Sequence, residues 1–256
     1  MIPSFRDIRI IETIQSINQQ SYPRERIEIV IVDGGSGRSF TDEVRRHLVA
    51  QDLLVSEPDH GIFDAINKGI SRASGAVLFT MGSDDKFACL DAVATFMECF
   101  KNPAVQYVCA GIAYTNQDWR PIRDWPANLP TFMNFMLGRQ VSHFGFACRP
   151  RVYRETGHFD LSHDFSADFD FFLRLSKRKL AGVKLARRLV LMKSGGISSK
   201  NLRNVRHGNA QMFRSGFSHY GMLVIVHFVA KPFVKVLQFL RVKTALHPIR
   251  NQALPR

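Results

Sequence analysis

The chain has 256 residues, 45% of them hydrophobic and 22% charged, which suits one large globular domain, with or without an appendage, and excludes a disordered or fibrous chain. Its formal charge of +13 is unevenly placed: residues 171–256 carry 18 Lys and Arg and no Asp or Glu, while residues 1–170 hold 17 basic against 22 acidic residues. The four cysteines show neither CxxC spacing nor a nearby His, so they read as reduced cytosolic thiols rather than zinc ligands or a disulfide frame.

Residues 1–9 lack the apolar core of a secretory leader, and no run of 18 apolar residues occurs, so neither a leader nor a membrane span is expected. Ile8, Ile11, Ile14 and Ile17 form a helical stripe. The β-branched run 27–32 predicts a buried parallel strand, ending in Asp33 and a Gly-Gly-Ser-Gly turn. A helix over 40–49 and a short strand over 53–56 come after it. Past a loop at 57–61, Ile62, Ile66, Ile70 and Ala73 recur at helical spacing, and Gly75 stops that helix. Residues 77–80 read as a strand delivering Gly82-Ser83-Asp84-Asp85. This alternation predicts a doubly wound α/β fold with a mostly parallel sheet.

Further on, a helix is predicted over 91–100 and a strand over 105–114. The Pro- and Trp-rich stretch 115–130 reads as a loop that could line a cleft. A short helix over 131–137, a strand over 144–148 and a helix from about 151 come next. A strong helix over 167–179 carries Asp168 and Asp170 at its start. Residues 195–199 read as a turn. Two basic helices, 201–217 and 220–241, precede a frayed end, and Pro232 should kink the second. The expected division is a catalytic domain over 1–200 and a basic helical extension over 201–256.

Ligands of open α/β sheets bind beyond the carboxyl ends of the strands. There Asp84 and Asp85 could hold a hard divalent cation, which in turn holds a diphosphate; an isolated Asp pair is also a common solvated turn. One carboxylate could reach a ribose hydroxyl while its neighbour binds the metal. The turn after Asp33 lacks GxGxxG spacing, so a carboxylate there suits a base or ribose better than a diphosphate. Asp168, near a helix N-terminus, is either an N-cap or a general base. His143, just before a strand, is either structural or functional.

The succession Val-Asp-Gly-Gly-Ser, Glu-Pro-Asp-x-Gly-Ile-Phe-Asp-Ala-Ile-Asn-Lys-Gly-Ile, Gly-Ser-Asp-Asp and Ala-Asp-Phe-Asp-Phe-Phe-Leu-Arg-Leu resembles family 2 inverting glycosyltransferases of the GT-A fold, in the branch that builds bacterial surface polysaccharides. The resemblance runs over about residues 2–200. It implies that Pro3, Ser4 and Phe5 open the nucleotide pocket and that Asp33 binds the uracil or another base. Asp59, Gly61, Asn67 and Lys68 would lie along the nucleotide and diphosphate. Asp84 would face the ribose or donor sugar, and Asp85 would bind Mg²⁺ or Mn²⁺. Asp168 would be the catalytic base, with His143 and Asp170 on the acceptor side. Family members carry a full apolar strand where only Met1 and Ile2 precede Pro3 here, so the first strand is expected to be cut short. They also tend to continue the glycine turn with Thr-Asp-Gly-Thr, where this chain has Gly37-Arg38-Ser39-Phe40, and Arg38 is expected to be exposed.

The resemblance therefore implies transfer of a sugar from a nucleotide-diphosphate sugar, with a UDP-sugar as the expected donor, to a hydroxyl of a lipid-linked glycan. Residues 213–240 interleave apolar residues with Lys231 and Lys235, as in an interfacial helix attracted to anionic lipids. A cytoplasmic protein, peripheral on the inner face of the cell membrane, is expected. Nucleic acid is not an expected partner, because no recognition motif accompanies the basic segment. Two rival readings are a catalytically degenerate, membrane-associated partner of an active enzyme and a sugar nucleotidyltransferase; the latter would need a basic Gly-rich loop near the N-terminus.

Overall fold

The computed structural model describes residues 1–195 and 201–249, with the backbone alone for 241–249. Three parallel strands, β1 (Ile2–Ser4), β2 (Val30–Asp33) and β3 (Leu53–Ser56), stand in that order. A mixed sheet contains β4 (Leu78–Phe79), β5 (Lys86–Phe87), β6 (Tyr107–Thr115), β8 (Phe146–Cys148) and β9 (Gly182–Lys193) in the order β4-β8-β6-β9-β5, with β7 (Pro121–Trp125) added to β6. The Met1 nitrogen donates to the Phe79 carbonyl at 2.7 Å, and the Met81 amide donates to the Met1 carbonyl at 3.1 Å. These two bonds join β1 to the end of β4 and make the two sheets one central layer. The α/β class is as expected, but the antiparallel pairings of β4, β5, β7 and β8 give the second half a mixed sheet.

Helices cover both faces. Ile10, Ile14, Val44, Phe96 and Phe100, from α1 (Ile10–Asn18), α2 (Arg38–Arg45) and α4 (Ala92–Phe100), pack on one face with Ile31, Val108 and Ile112. Phe63, Ile66, Val152, Phe171 and Leu175, from α3 (Ile62–Arg72), α6 (Pro150–Thr156) and α7 (Ala167–Ser176), pack on the other with Tyr107, Cys109 and Phe146. Successive β6 residues thus feed opposite cores, the period-2 alternation of a strand covered on both sides.

Five expectations are corrected. The α1 stripe is Ile10, Ile14 and Ile17; Ile8 lies outside, and Thr13 is buried in the stripe. The first strand is short yet present, with Ile2, Pro3 and Ser4 in register with Ile31, Val32 and Asp33. Residues 115–130 contain β7, whose opening Pro121 suits the first residue of a strand. Strand β9 was not anticipated. Its Arg187 pairs with Asp91, and its Arg188 pairs with the buried Asp124 of β7, so charges that suggest a loop are neutralised across the sheet. The helix predicted to end at 241 continues to Ile249, so the expected fraying does not begin there; residues 250–256, and the predicted turn beyond Gly195, lie outside the described residues.

The C-terminal helices are docked on this body. After β9 come α8 (Leu202–Tyr220), a single 3-10 turn at Gly221–Leu223, and α9 (Val224–Ile249), which continues through Pro232 and packs on the short α5 (Phe132–Met136). The buried Asp170 of α7 accepts from Arg174 Nε at 2.7 Å and from Ser215 Oγ of α8 at 2.9 Å, with His219 Nε2 at 3.2 Å. Gln211 of α8 accepts from the Phe165 amide at 3.0 Å and donates to Asp164 at 2.8 Å. Asp170 and Gln211 therefore fix the start of α7 to α8, which gives Asp170 a different position from the acceptor-side one expected. Asp170→Ala should cost about 2–4 kcal/mol, because it leaves three donors facing an apolar hole; thermal melting and protease sensitivity around α8 would measure it.

Candidate active site

The carboxyl ends of β1, β2 and β3 converge. Asp33 is fully buried; its carboxylate accepts from the Ser36 amide at 2.8 Å, from Ser56 Oγ at 2.6 Å and from the Ser36 hydroxyl. Asp33 thus organises the glycine turn. The Gly34 amide donates to the Ser4 carbonyl at 2.9 Å. A Cβ at Gly34 would stand 2.6 Å from Asp59 Oδ2 and 3.2 Å from the Phe5 ring, so glycine is needed for these three loops to meet. Phe5 is 57% exposed, and Ser4 Oγ is buried with no hydrogen-bond partner. Pro3 is buried within β1. Arg38 is exposed as expected.

Asp59 Oδ1 accepts from the Gly61 amide at 2.8 Å, which shapes the turn into α3. Lys68 donates to the Pro58 carbonyl at 2.8 Å and stands within 3.4 Å of Glu57 and 3.3 Å of Asp64, bracing that same turn. The Asn67 amide group donates to the Phe159 carbonyl at 2.9 Å, and its oxygen accepts from the Phe159 amide at 3.0 Å. Both ends of Asn67 are thereby occupied in joining α3 to a distant loop. His143 sits among Phe63, Phe144 and Phe159, and burial lowers its pKa to about 3. It is a neutral core histidine at ordinary pH, without the exposure that an acceptor-side role requires.

The turn after β4 is held from α1. Thr13 Oγ1 donates to the Asp85 carbonyl at 2.7 Å, with the Ser83 carbonyl at 3.1 Å, and Ser83 Oγ donates to Asp7 at 3.0 Å. Arg9 pairs with both Asp7 and Asp84. Asp85 faces inward and accepts from the Gly82 amide at 3.1 Å. Burial, and then the charge of Asp84, push its carboxyl well above the usual range. Burial also raises Asp84, against the pull of Arg9.

Across the cleft, Asp168 lies in the first turn of α7, two residues past the cap position of Ser166. Its Oδ1 accepts from the Phe169 amide at 2.8 Å. Burial pushes its carboxyl up to about 6, opposed by local amides and by Lys231. Tyr114 on β6 is within electrostatic reach of both acids. Burial raises its hydroxyl, Arg123 draws it down, and Asp85 and Asp168 both push it up. Thr13, Gly34, Tyr114, Arg123 and Lys231 were not singled out as site residues from the sequence. A polar Thr inside an isoleucine stripe was the one local signal; the others acquire meaning only through distant partners.

The family model described as glycosyl transferase family 2 matches residues 2–155. The chain belongs to glycosyl transferase family 2. A glycosyltransferase of Mycobacterium tuberculosis, named as uncharacterized, is 33% identical over 180 residues, covering 67% of this chain and 65% of that protein. A PGL/p-HBAD biosynthesis glycosyltransferase of Mycobacterium bovis BCG is 26% identical over 153 residues, 57% of either chain. The match thus spans less than two thirds of the first relative's length. Among solved structures, the mannosyltransferase PcManGT from Pyrobaculum calidifontis in complex with GDP-Man and Mn²⁺ has a TM-score of 0.65 at 17% identity, covering 99% of this chain and 75% of that one. S. aureus TarS 1–349 in complex with UDP-GlcNAc has a TM-score of 0.64 at 12% identity, covering 91% and 70%. These two share the GT-A type fold.

Asp85 supplies a test that needs no ligand. Its folded-state pKa lies above its unfolded one, so the native state binds the extra proton, and the chain loses stability as pH rises from the unfolded value through the raised one. Asp85→Asn lacks that loss. In metal-free buffer it should melt above the wild type at pH 8, with the gap narrowing as pH falls; a wild type equally stable at both pH values would contradict this.

Proposed function

We propose that the chain is an inverting glycosyltransferase that moves a sugar from a nucleotide-diphosphate sugar, a UDP-sugar in the first instance, to a hydroxyl of a lipid-linked glycan. The reading is supported by Asp168, in the first turn of α7 with its pKa at about 6, and by the buried Asp85, both within electrostatic reach of Tyr114. A carboxylate poised there is ionised at neutral pH and still basic enough to take a proton from an alcohol in the transition state.

The donor reading rests on the convergence of Pro3, Ser4, Phe5, Asp33, Asp59, Gly61 and Asp84. Exposed Phe5 offers a ring for the base, and the partnerless Ser4 hydroxyl offers a hydrogen bond. Asp33 holds the turn on which that pocket depends. Asn67 and Lys68 act one step back, by bracing the α3 turn. The relatives in solved structures carry UDP-GlcNAc and GDP-Man, which supports a nucleotide sugar without choosing the sugar.

A divalent cation fits the residues present. Asp85 is buried with no cationic side chain at ion-pair distance among the described residues, since Arg9 is engaged with Asp7 and Asp84. A desolvated carboxylate of this kind is relieved by a hard cation. No group of three or more His, Cys, Asp or Glu gathers for a metal among the described residues, so Asp85, with Asp84 in support, would share Mg²⁺ or Mn²⁺ with the donor's phosphates. When bound, the ion offsets the negative charge of the departing diphosphate. In the chemical step, Asp168 takes the acceptor proton as the oxygen bonds to the anomeric carbon. The bond from that carbon to the diphosphate breaks on the opposite side, and configuration inverts.

The basic extension suits a membrane surface. The helical stretch Leu202–Leu240 contains an 18-residue window of mean hydropathy 1.7, enough by length and composition to cross a bilayer, and only 17% of it is buried. Because α9 is packed along β7 and α5, an interfacial position on the inner face of the cell membrane fits better than a span. All three β1 residues, Ile2, Pro3 and Ser4, pair with β2, which weighs against the degenerate-partner alternative.

Asp168→Asn should lose transfer by about 100-fold or more while retaining donor affinity; undiminished turnover would remove Asp168 as the base. The wild-type kcat/KM should fall below about pH 6 as Asp168 is protonated, and an acid limb at another pH would count against the assignment. In flotation with anionic vesicles, the wild type should rise with the lipid, and Val229→Glu with Phe233→Glu should stay at the bottom.

A further inference from the structure

Helix α9 is inverted relative to an ordinary surface helix. His227, Lys231, Val234 and Gln238 recur every three or four residues on one face, and His227 and Gln238 on it are buried. The opposite face exposes Val229, Phe233 (70%), Val236 and Leu240. The polar face is fastened inward. His227 Nδ1 lies 2.7 Å from the Phe135 carbonyl, and its ring stacks on Phe135 at 4.7 Å. A Cβ at Gly138 would stand 2.5 Å from the Lys231 backbone nitrogen, so the loop after α5 lies directly on the helix at this point.

This arrangement collects cations beside the catalytic acids. Lys231 Nζ donates to Asn209 Oδ1 at 2.8 Å and interacts electrostatically with Asp168 and Lys235. Burial lowers its pKa to about 8. The Arg123 guanidinium lies 3.8 Å above the Tyr114 ring, 5.4 Å from Trp125 and 5.8 Å from Phe239 of α9, and its Nε is buried with no acceptor. Lys235 stands one helical turn from both Lys231 and Phe239. Among the described residues, none of the three forms an ion pair with a carboxylate. For Lys231 and the Arg123 Nε, both drawn out of water, the lack of a counter-ion is costly unless an anion arrives; Lys235 beside them is exposed, and a guanidinium fork suits phosphate.

We propose that Arg123, Lys231 and Lys235 form the seat for the phosphate or diphosphate of the acceptor lipid, whose hydrocarbon chain leaves over the apolar face of α9. This rests on the glycosyltransferase reading above and names the acceptor's anionic group. It also accounts for the helix polarity: the cations face the cleft, the aliphatic residues face the lipid, and the hydroxyl to be glycosylated is held near Asp168.

Farnesyl diphosphate in neutral detergent micelles is the probe, with the full chain followed by tryptophan fluorescence, given that Trp125 lies beside Arg123. It should bind in the presence of saturating UDP and Mn²⁺. Arg123→Gln and the exposed Lys235→Gln should each weaken it about tenfold, with UDP affinity and melting temperature unchanged. Farnesol, and phosphatidylglycerol in the same micelles, should bind much more weakly. Displacement of farnesyl diphosphate by UDP, equal binding of farnesol or phosphatidylglycerol, or unchanged affinity in both variants would each overturn the seat. Binding through these cations by a chain that does not bind UDP would leave the seat standing and remove the donor reading instead.

Discussion

Two carboxylates of raised pKa, the buried Asp85 and the half-buried Asp168, without an ion-pair partner among the described residues, set the terms for this structure. Asp85 rests on the Gly82 amide and Asp168 on the Phe169 amide, which soften the burial of charge without neutralising it. Arg9, the nearest strong cation to the turn, is engaged with Asp7 and Asp84. Holding such groups in place takes a rigid frame, and Thr13, buried in the isoleucine stripe of α1, supplies part of it by gripping two carbonyls of the turn. The resulting polarity is arranged before any ligand arrives, the condition under which electrostatic stabilisation of a transition state is most effective.

The first half of the fold was legible because β2 is buried throughout and glycines stand at the starts of α2 and α3. Strands β2 and β3 are β-branched or aliphatic runs, and Gly61 and Gly75 bracket α3 and its exit. Strands β7 and β9 were hidden for one physical reason. Asp124 and Arg188 neutralise each other across 64 residues, and Asp91 and Arg187 across 96. A local reading registers the charges and cannot see their pairing.

The same reason governs the site. Asp84, Asp85 and Asp168 stand at the ends of a strand or helix, where local sequence already implies an edge of the sheet, and the structure brings Asp85 and Asp168 within electrostatic reach of Tyr114. Asn67, His143 and Asp170 have residue types suited to chemistry, yet each is committed to distant structure: Phe159, an aromatic nest, and α8. Arg123 lay in a stretch read as a loop, so nothing local connected it with Tyr114.

The region matched by the family model ends at residue 155, before α7, β9, α8 and α9. Yet Asp168 is positioned by helices that lie C-terminal to it. Gln211 and Ser215 of α8 hold the start of α7, and α9 brings Lys231 close enough to lower the Asp168 pKa. A helix pair attached only as a membrane anchor would need neither buried hydrogen bonds to the first turn of α7 nor a lysine facing inward. One pair of helices thus both exposes the apolar surface and steadies Asp168, so the two features are mechanically linked.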